Sequence, residues 1–199
     1  MAENQNTNHP ARGKKNAEAL REQRRATREA VLALLFETEY HEDEAPETIY
    51  LRAAAARGID TDDRYICKEY YGIMEHLPTI DALLARHAKG WRTDRLSRVS
   101  RAVLRLGAYE VVYADKIPTP VAINEAVELA KKFDDPKARA FINGVLNAVK
   151  DELEQNGGVI PEVEAPTEAQ PTADVPAEPA AEDVLSESDV AVEAAPDAD

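Results

Sequence analysis

The chain has a single cysteine, Cys67, no long apolar run, and no Lys or Arg anywhere beyond Asn156. One cysteine rules out an intrachain disulfide and a cysteine-based zinc set, and suits a cytoplasmic protein. The opening segment from Met1 to Pro10 is polar where a secretory leader is apolar, and no stretch approaches the roughly 20 apolar residues of a membrane helix, so neither export nor membrane insertion is expected. Glycines number eight and are scattered apart from Gly157-Gly158, whereas a phosphate-cradling loop needs them closely spaced. His9, His41, His76 and His87 fall on four separate segments, without the i, i+4 pair of a helical metal site. There is no G-x-S-x-G elbow, and Cys67, beside an apolar helical stripe, reads as an inert buried thiol. The acidic pairs at Glu42 to Glu44 and Asp62-Asp63 fall at expected helix ends, where carboxylates serve capping and the helix dipole. No catalytic residue, cofactor or metal is expected, and the chain reads as a non-enzyme.

The net charge of −14 is mostly local. Residues 156–199 carry 12 acidic side chains and no basic one, with Pro at 161, 166, 171 and 176. Such a segment offers too little apolar area to offset its ordering entropy, so 155–199 is expected to be a disordered acidic tail. The remainder is close to neutral, at −2. At the other end, residues 1–28 hold seven basic and three acidic side chains, a net of +4. We therefore expect a flexible basic arm over 1–16 and a folded domain over 17–154, divided into sub-bundles at 17–90 and 91–154.

Within that domain apolar residues recur at three and four positions, the helical period, which predicts an all-α fold of six or seven helices in two packed sub-bundles. The first helix is expected over 17–40, with Val31, Leu34 and Leu35 inward. A second begins near Pro46 and stops at Gly58. A third, capped by Thr61 to Asp63, carries Ile66, Tyr70, Ile73 and Leu77 and ends at Pro78. Thr79 then caps a short fourth helix reaching toward Gly90. The next, over 94–114, carries Val99, Val103, Leu106 and Tyr113 and should centre the second sub-bundle. Thr119-Pro120 and Asp135-Pro136 each read as a cap followed by a first-turn proline. The helices that follow place Ile123, Ala126, Val127 and Ala130, and Ile142, Val145, Leu146, Val149 and Leu153, on single faces.

Two groups of residues point to a polyanion. Arg21, Arg24, Arg25 and Arg28 share overlapping faces of one helix, and guanidinium groups bind phosphate with paired donors and stack on bases. The competing explanation is a solvated face paired with Glu18, Glu22 and Glu29. Lys137 and Arg139 flank Phe141, which sits about 100° from the stripe through Ile142 and Val149. An edge aromatic beside cations suits base stacking, the alternative being a core Phe with one edge outward.

Three runs carry a family resemblance: A-V-L-R-L-G-A-Y-E from Ala102 to Glu110, V-A-I-N-E-A-V-E-L-A-K from Val121 to Lys131, and F-I-N-G-V-L from Phe141 to Leu146. With R-E-A-V-L-A-L-L-F from Arg28 to Phe36, they resemble the signature of the NusB family over about residues 17–153. The resemblance implies a non-catalytic transcription antitermination factor that binds single-stranded boxA leader RNA of ribosomal RNA operons. It implies NusE, a small-subunit ribosomal protein, as heterodimer partner, and attachment to the RNA polymerase elongation complex with other Nus factors. It places RNA contacts at Arg21, Arg24, Arg25, Arg28 and Phe141, to which the residue chemistry above adds Lys137 and Arg139. Partner contacts are placed at Trp91, Asp94, Arg95 and Arg101, with self-association of the free protein an open alternative. Asn124 and Glu125 are read as serving helix packing.

Two other functions compete. A domain of this kind also fronts ribosomal-RNA cytosine methyltransferases, but a cofactor-binding α/β domain would have to follow Leu153, where the acidic tail stands instead. A pure protein-interaction module would use the arginines only for solubility. The tail itself is read as a solvated appendage, against the alternative that it folds back on the arginines and competes with RNA.

Overall fold

The computed structural model describes residues 10–41, 43–88 and 96–160, with side chains from Asn16 onward. These residues form seven helices and no strand. In chain order they are α1 (Pro10–Thr38), α2 (Pro46–Arg57), α3 (Arg64–Glu75), α4 (Leu77–His87), α5 (Arg98–Tyr113), α6 (Thr119–Phe133) and α7 (Ala138–Gln155). The expected fold class is observed. The tail beyond residue 160, and the partner-contact candidates Trp91, Asp94 and Arg95, lie outside the described residues.

Local chemistry accounts for several helix ends. Pro46 opens α2, and Gly58 closes it in the left-handed region at φ 65°, returning its N–H to the Ala54 carbonyl. Asp63 caps α3, its carboxylate accepting from the N–H groups of Tyr65 and Ile66 at 2.8 and 3.2 Å. Ser97 caps α5 by accepting from Ser100 N–H at 2.8 Å. Other ends depart from expectation. The first helix begins at Pro10, so residues 10–16, expected as an arm, are helical. Pro78 does not end α3: it sits in the first turn of α4, where its missing N–H costs no helical bond, and only His76 separates the two helices. Thr79 is therefore inside α4, and Thr119 is the first residue of α6 instead of its cap. Asp135 accepts from Lys137 N–H at 2.8 Å, organising the turn that precedes α7.

The second sub-bundle is α5, α6 and α7, and the first is α1 with α2 and α3; α4 rests on α3, α5 and α7. Helix α5 packs against α1, α3, α4, α6 and α7. Ten of its 16 residues are buried, from Ser100 through Val111, as expected of a helix enclosed on most sides. Gly107 allows the closest approach: a Cβ there would stand 2.7 Å from Leu146 Cδ1 and 3.1 Å from Ala126 Cβ. The core joins Val31, Leu34 and Leu35 of α1 to Tyr70 and Ile73 of α3, Leu104 and Leu106 of α5, and Ile142 and Leu146 of α7. Cys67 is half-buried, its thiol donating to the Thr61 carbonyl at 3.0 Å.

Candidate nucleic-acid interface

The first half of α1 projects past the apolar positions that anchor its second half. Arg21, Arg24 and Arg25 are exposed there. Arg28 is not: only 4% of its surface is accessible, and it turns inward. Its Nε donates to Glu110 Oε1 at 2.8 Å, and the Tyr65 hydroxyl donates to the same oxygen at 2.5 Å. Burial pushes the Glu110 carboxyl above its ordinary range, against the opposing pull of Arg28 and Tyr65. The expected stripe of four solvent-facing arginines is thus a stripe of three. The fourth ties α1 to α5, because one more turn of helix carries it from solvent into the junction between the sub-bundles.

The carboxylates proposed as partners of these arginines on α1 itself are not used. Arg25 Nε instead reaches Glu125 Oε2 on α6 at 3.4 Å, and Arg28 Nη1 reaches the same oxygen at 3.7 Å. Glu29 is taken by Lys132 of α6 at 2.6 Å. Arg21 and Arg24 form no salt bridge with any described residue. Two ion pairs, Arg25 to Glu125 and Glu29 to Lys132, set α1 parallel to α6. Between the helices runs an open groove of about 820 Å³, with Arg21 and Arg25 on one wall and Lys131 and Lys132 on the other. Glu18, Glu22 and Glu128 also line it, so its charge is mixed and the unopposed cations are on its rim.

Lys137 is exposed and Arg139 half-buried, its Nε donating to the Pro136 carbonyl at 3.3 Å. Phe141 packs part of its ring against the core and leaves the rest at the surface. These three follow the C-terminal end of α6, and the α6 residues that share a groove with Arg21 and Arg25 run from Glu125 to Lys132. None of Lys137, Arg139 and Phe141 lines that groove.

Arg101 is half-buried and pairs with Glu39 at 2.9 Å, while Arg105 bridges Glu39 to Asp81. Beside Arg101, α4 and α5 frame a groove of about 780 Å³ floored by Leu84, Ala85, Ala88 and Leu104. Asn124, read as packing, is exposed; its neighbours Ala122, Ile123 and Ala126 make the packing instead. Glu125 is structural in another sense, as the shared ion-pair partner of Arg25 and Arg28. Nothing in sequence spacing ties Arg28 to Glu110 or Arg25 to Glu125, since those pairs are 82 and 100 residues apart. Among the described residues no cluster of three or more His, Cys, Asp or Glu could hold a metal ion, and no helix is long and apolar enough to cross a membrane.

Fold and surface together define a two-sub-bundle helical protein whose first helix presents a cationic face. The NusB family pattern matches residues 25–151, and the chain belongs to the NusB family. The transcription antitermination protein NusB of Bacillus subtilis is 38% identical over 135 residues, covering 67% of this chain and 98% of that protein. The Bacillus licheniformis protein of the same name is 41% identical over 131 residues, covering 66% and 98%. Among solved structures, NusB of T. maritima superposes with a TM-score of 0.59 at 36% identity, over 65% of this chain and 91% of that one. The antitermination factor NusB in a crystal with NusE and double-stranded RNA superposes at 0.58 and 27% identity, over 65% and 96%.

Proposed function

We infer that the chain is a non-catalytic transcription antitermination factor that binds single-stranded RNA of the boxA type from ribosomal RNA leaders, as a heterodimer with NusE. The observation that carries this reading is the row of exposed arginines on α1, two of which make no salt bridge with any described residue. Such a row offers a nucleic-acid strand several phosphate contacts at once, each releasing a counterion from it. Arg21, Arg24 and Arg25 then grip phosphates, with Arg28 acting beneath them as the anchor of α1. Lys137, Arg139 and the exposed edge of Phe141 supply a second contact in which a base stacks on the ring. The crystal of a relative with NusE and RNA supports both partners.

Trp91, Asp94 and Arg95 are kept as proposed NusE contacts from the sequence, and the groove beside Arg101 is the proposed NusE surface. Its apolar floor, rimmed by charged pairs, has the make-up of a protein contact. Neither protein alone holds the RNA long; joined, each contact raises the effective concentration of the other, and the pair stays with the elongating polymerase. A binding experiment with a boxA-type RNA tests this. NusE should tighten binding by at least tenfold, while NusE-independent binding or none at all would contradict the heterodimer.

A further inference from the structure

Ala126 and Phe133 of α6 are two helical turns apart, so they stand on nearly the same face of the helix. At Ala126 that face packs against Gly107 of α5 and is 3% exposed. At Phe133, the last residue of α6, it is 44% exposed. By spacing alone Phe133 belongs to the buried stripe through Ala126 and Ala130, and it is open because α6 outruns the helices that cover its middle. The other two phenylalanines are packed: Phe36 lies edge-on to Tyr40 with ring centroids 5.2 Å apart, and Phe141 rests against the core. Among the described residues the ring of Phe133 meets no other aromatic, only the ammonium of Lys132, 5.0 Å from its centroid.

That ammonium fixes where the ring stands. Lys132 Nζ donates to both carboxylate oxygens of Glu29, at 2.6 and 2.7 Å, across the groove that also holds Arg21, Arg25 and Lys131. The ring is therefore one ammonium away from the end of the groove. Arg25 meets Glu125 farther back along α6, by about 10 Å at 1.5 Å per residue. The two carboxylates that follow Phe133 are engaged elsewhere. Asp134 accepts from the hydroxyls of Ser97 and Ser100 on α5, and Asp135 from the N–H of Lys137.

Resting on the RNA-binding reading above, we propose that Phe133 is a stacking platform for an unpaired base of the strand whose phosphates lie on Arg21 and Arg25. A planar apolar ring beside cations, at the end of a groove lined with arginine and lysine, is the arrangement on which bases of a single strand stack. Every base has a π-face, so the contact is indifferent to base identity. It discriminates by strandedness instead: bases in a duplex are already stacked between their neighbours, whereas unpaired bases can splay out onto an aromatic side chain. The arginines supply affinity for a polyanion, and the ring supplies the preference for unpaired RNA.

The test compares a 12-nucleotide oligouridine with an abasic strand of the same length, which keeps the phosphates and lacks the bases, each bound in the presence of NusE. Phe133→Ala and Phe133→Leu should bind oligouridine at least fivefold more weakly than the unaltered protein, the lower end of what base–aromatic stacking gives. Both should bind the abasic strand as the unaltered protein does and keep its salt dependence, since no phosphate contact is lost. Phe133→Tyr, which keeps the ring, should bind oligouridine like the unaltered protein. Leucine retains apolar bulk at the helix end, so a Leu variant that binds oligouridine at full strength would overturn the platform. Equal weakening on both strands would overturn it too, because the ring would then be acting through the fold. Either result leaves the arginine face standing, whereas no binding of either strand by the unaltered protein would overturn the RNA reading and the platform together.

Discussion

The Arg28 guanidinium lies 2.8 Å from Glu110 in a site with almost no solvent access. Removing one member of such a pair strands the other charge, at a cost of about 3–5 kcal/mol. Arg28→Met should lower stability by that order in urea unfolding, and Arg28→Met/Glu110→Leu should recover most of it; a loss confined to RNA affinity would instead return Arg28 to the binding face. Glu69 lies close to the same cluster and is 2% exposed, with an Oε2 that makes no hydrogen bond among the described residues. Burial, reinforced by the charge of Glu110, pushes its carboxyl from 4.5 up to about 7. The folded state therefore favours the protonated form: the stability linked to this group is complete below pH 4.5 and is lost as pH rises through 7. Glu69→Gln should stabilise the protein by about 1–3 kcal/mol at pH 8, with the difference from the unaltered chain vanishing near pH 4. A pH-independent difference would show that Glu69 has a partner. At the proposed stacking contact, Phe141→Ala should weaken RNA binding by about 1–3 kcal/mol, and a change within error would remove Phe141 from the site.

At the level of elements, the apolar periodicity located every helix because a helix in a packed bundle must bury a stripe, and that stripe is written in spacings of three and four. The ends were less legible. Pro78 and Thr119 are compatible both with stopping a helix and with sitting in its first turn, and the choice is made by neighbouring elements: α4 packs so closely after α3 that one residue joins them. The site divides in the same way. The arginines of α1 could be picked out by type and spacing, yet which one faces inward depends on Glu110, 82 residues away. Asn124 and Asn143, which line a groove between α6 and α7, sit inside two motif runs, but their exposure follows from how the two helices lie together. Gly107 gives the sharpest test of that packing. Gly107→Ala would press a methyl to within 2.7 Å of Leu146 Cδ1, so the variant should lose about 1–3 kcal/mol in thermal or urea unfolding; an unchanged midpoint would mean that α5 and α7 can part without penalty.

On the scale of the whole molecule, charge is sorted by region: the cationic end of α1 lies near the start of the chain and most of the net negative charge falls after Asn156. A tail that does not compete for the arginines can be removed without consequence, so deletion of 156–199 should leave RNA affinity and its salt dependence within error, whereas tighter binding at low salt would assign the tail an inhibitory role. The central claim is that the exposed α1 arginines grip phosphates, and a salt titration of single-stranded RNA binding examines it most directly. Each lost phosphate contact flattens the log–log dependence of affinity on salt by about 0.7 for a single strand. For Arg24→Ala/Arg25→Ala the slope should be shallower than that of the unaltered protein by about 1.4. Superimposable titrations for the two proteins would contradict the account and place the RNA elsewhere.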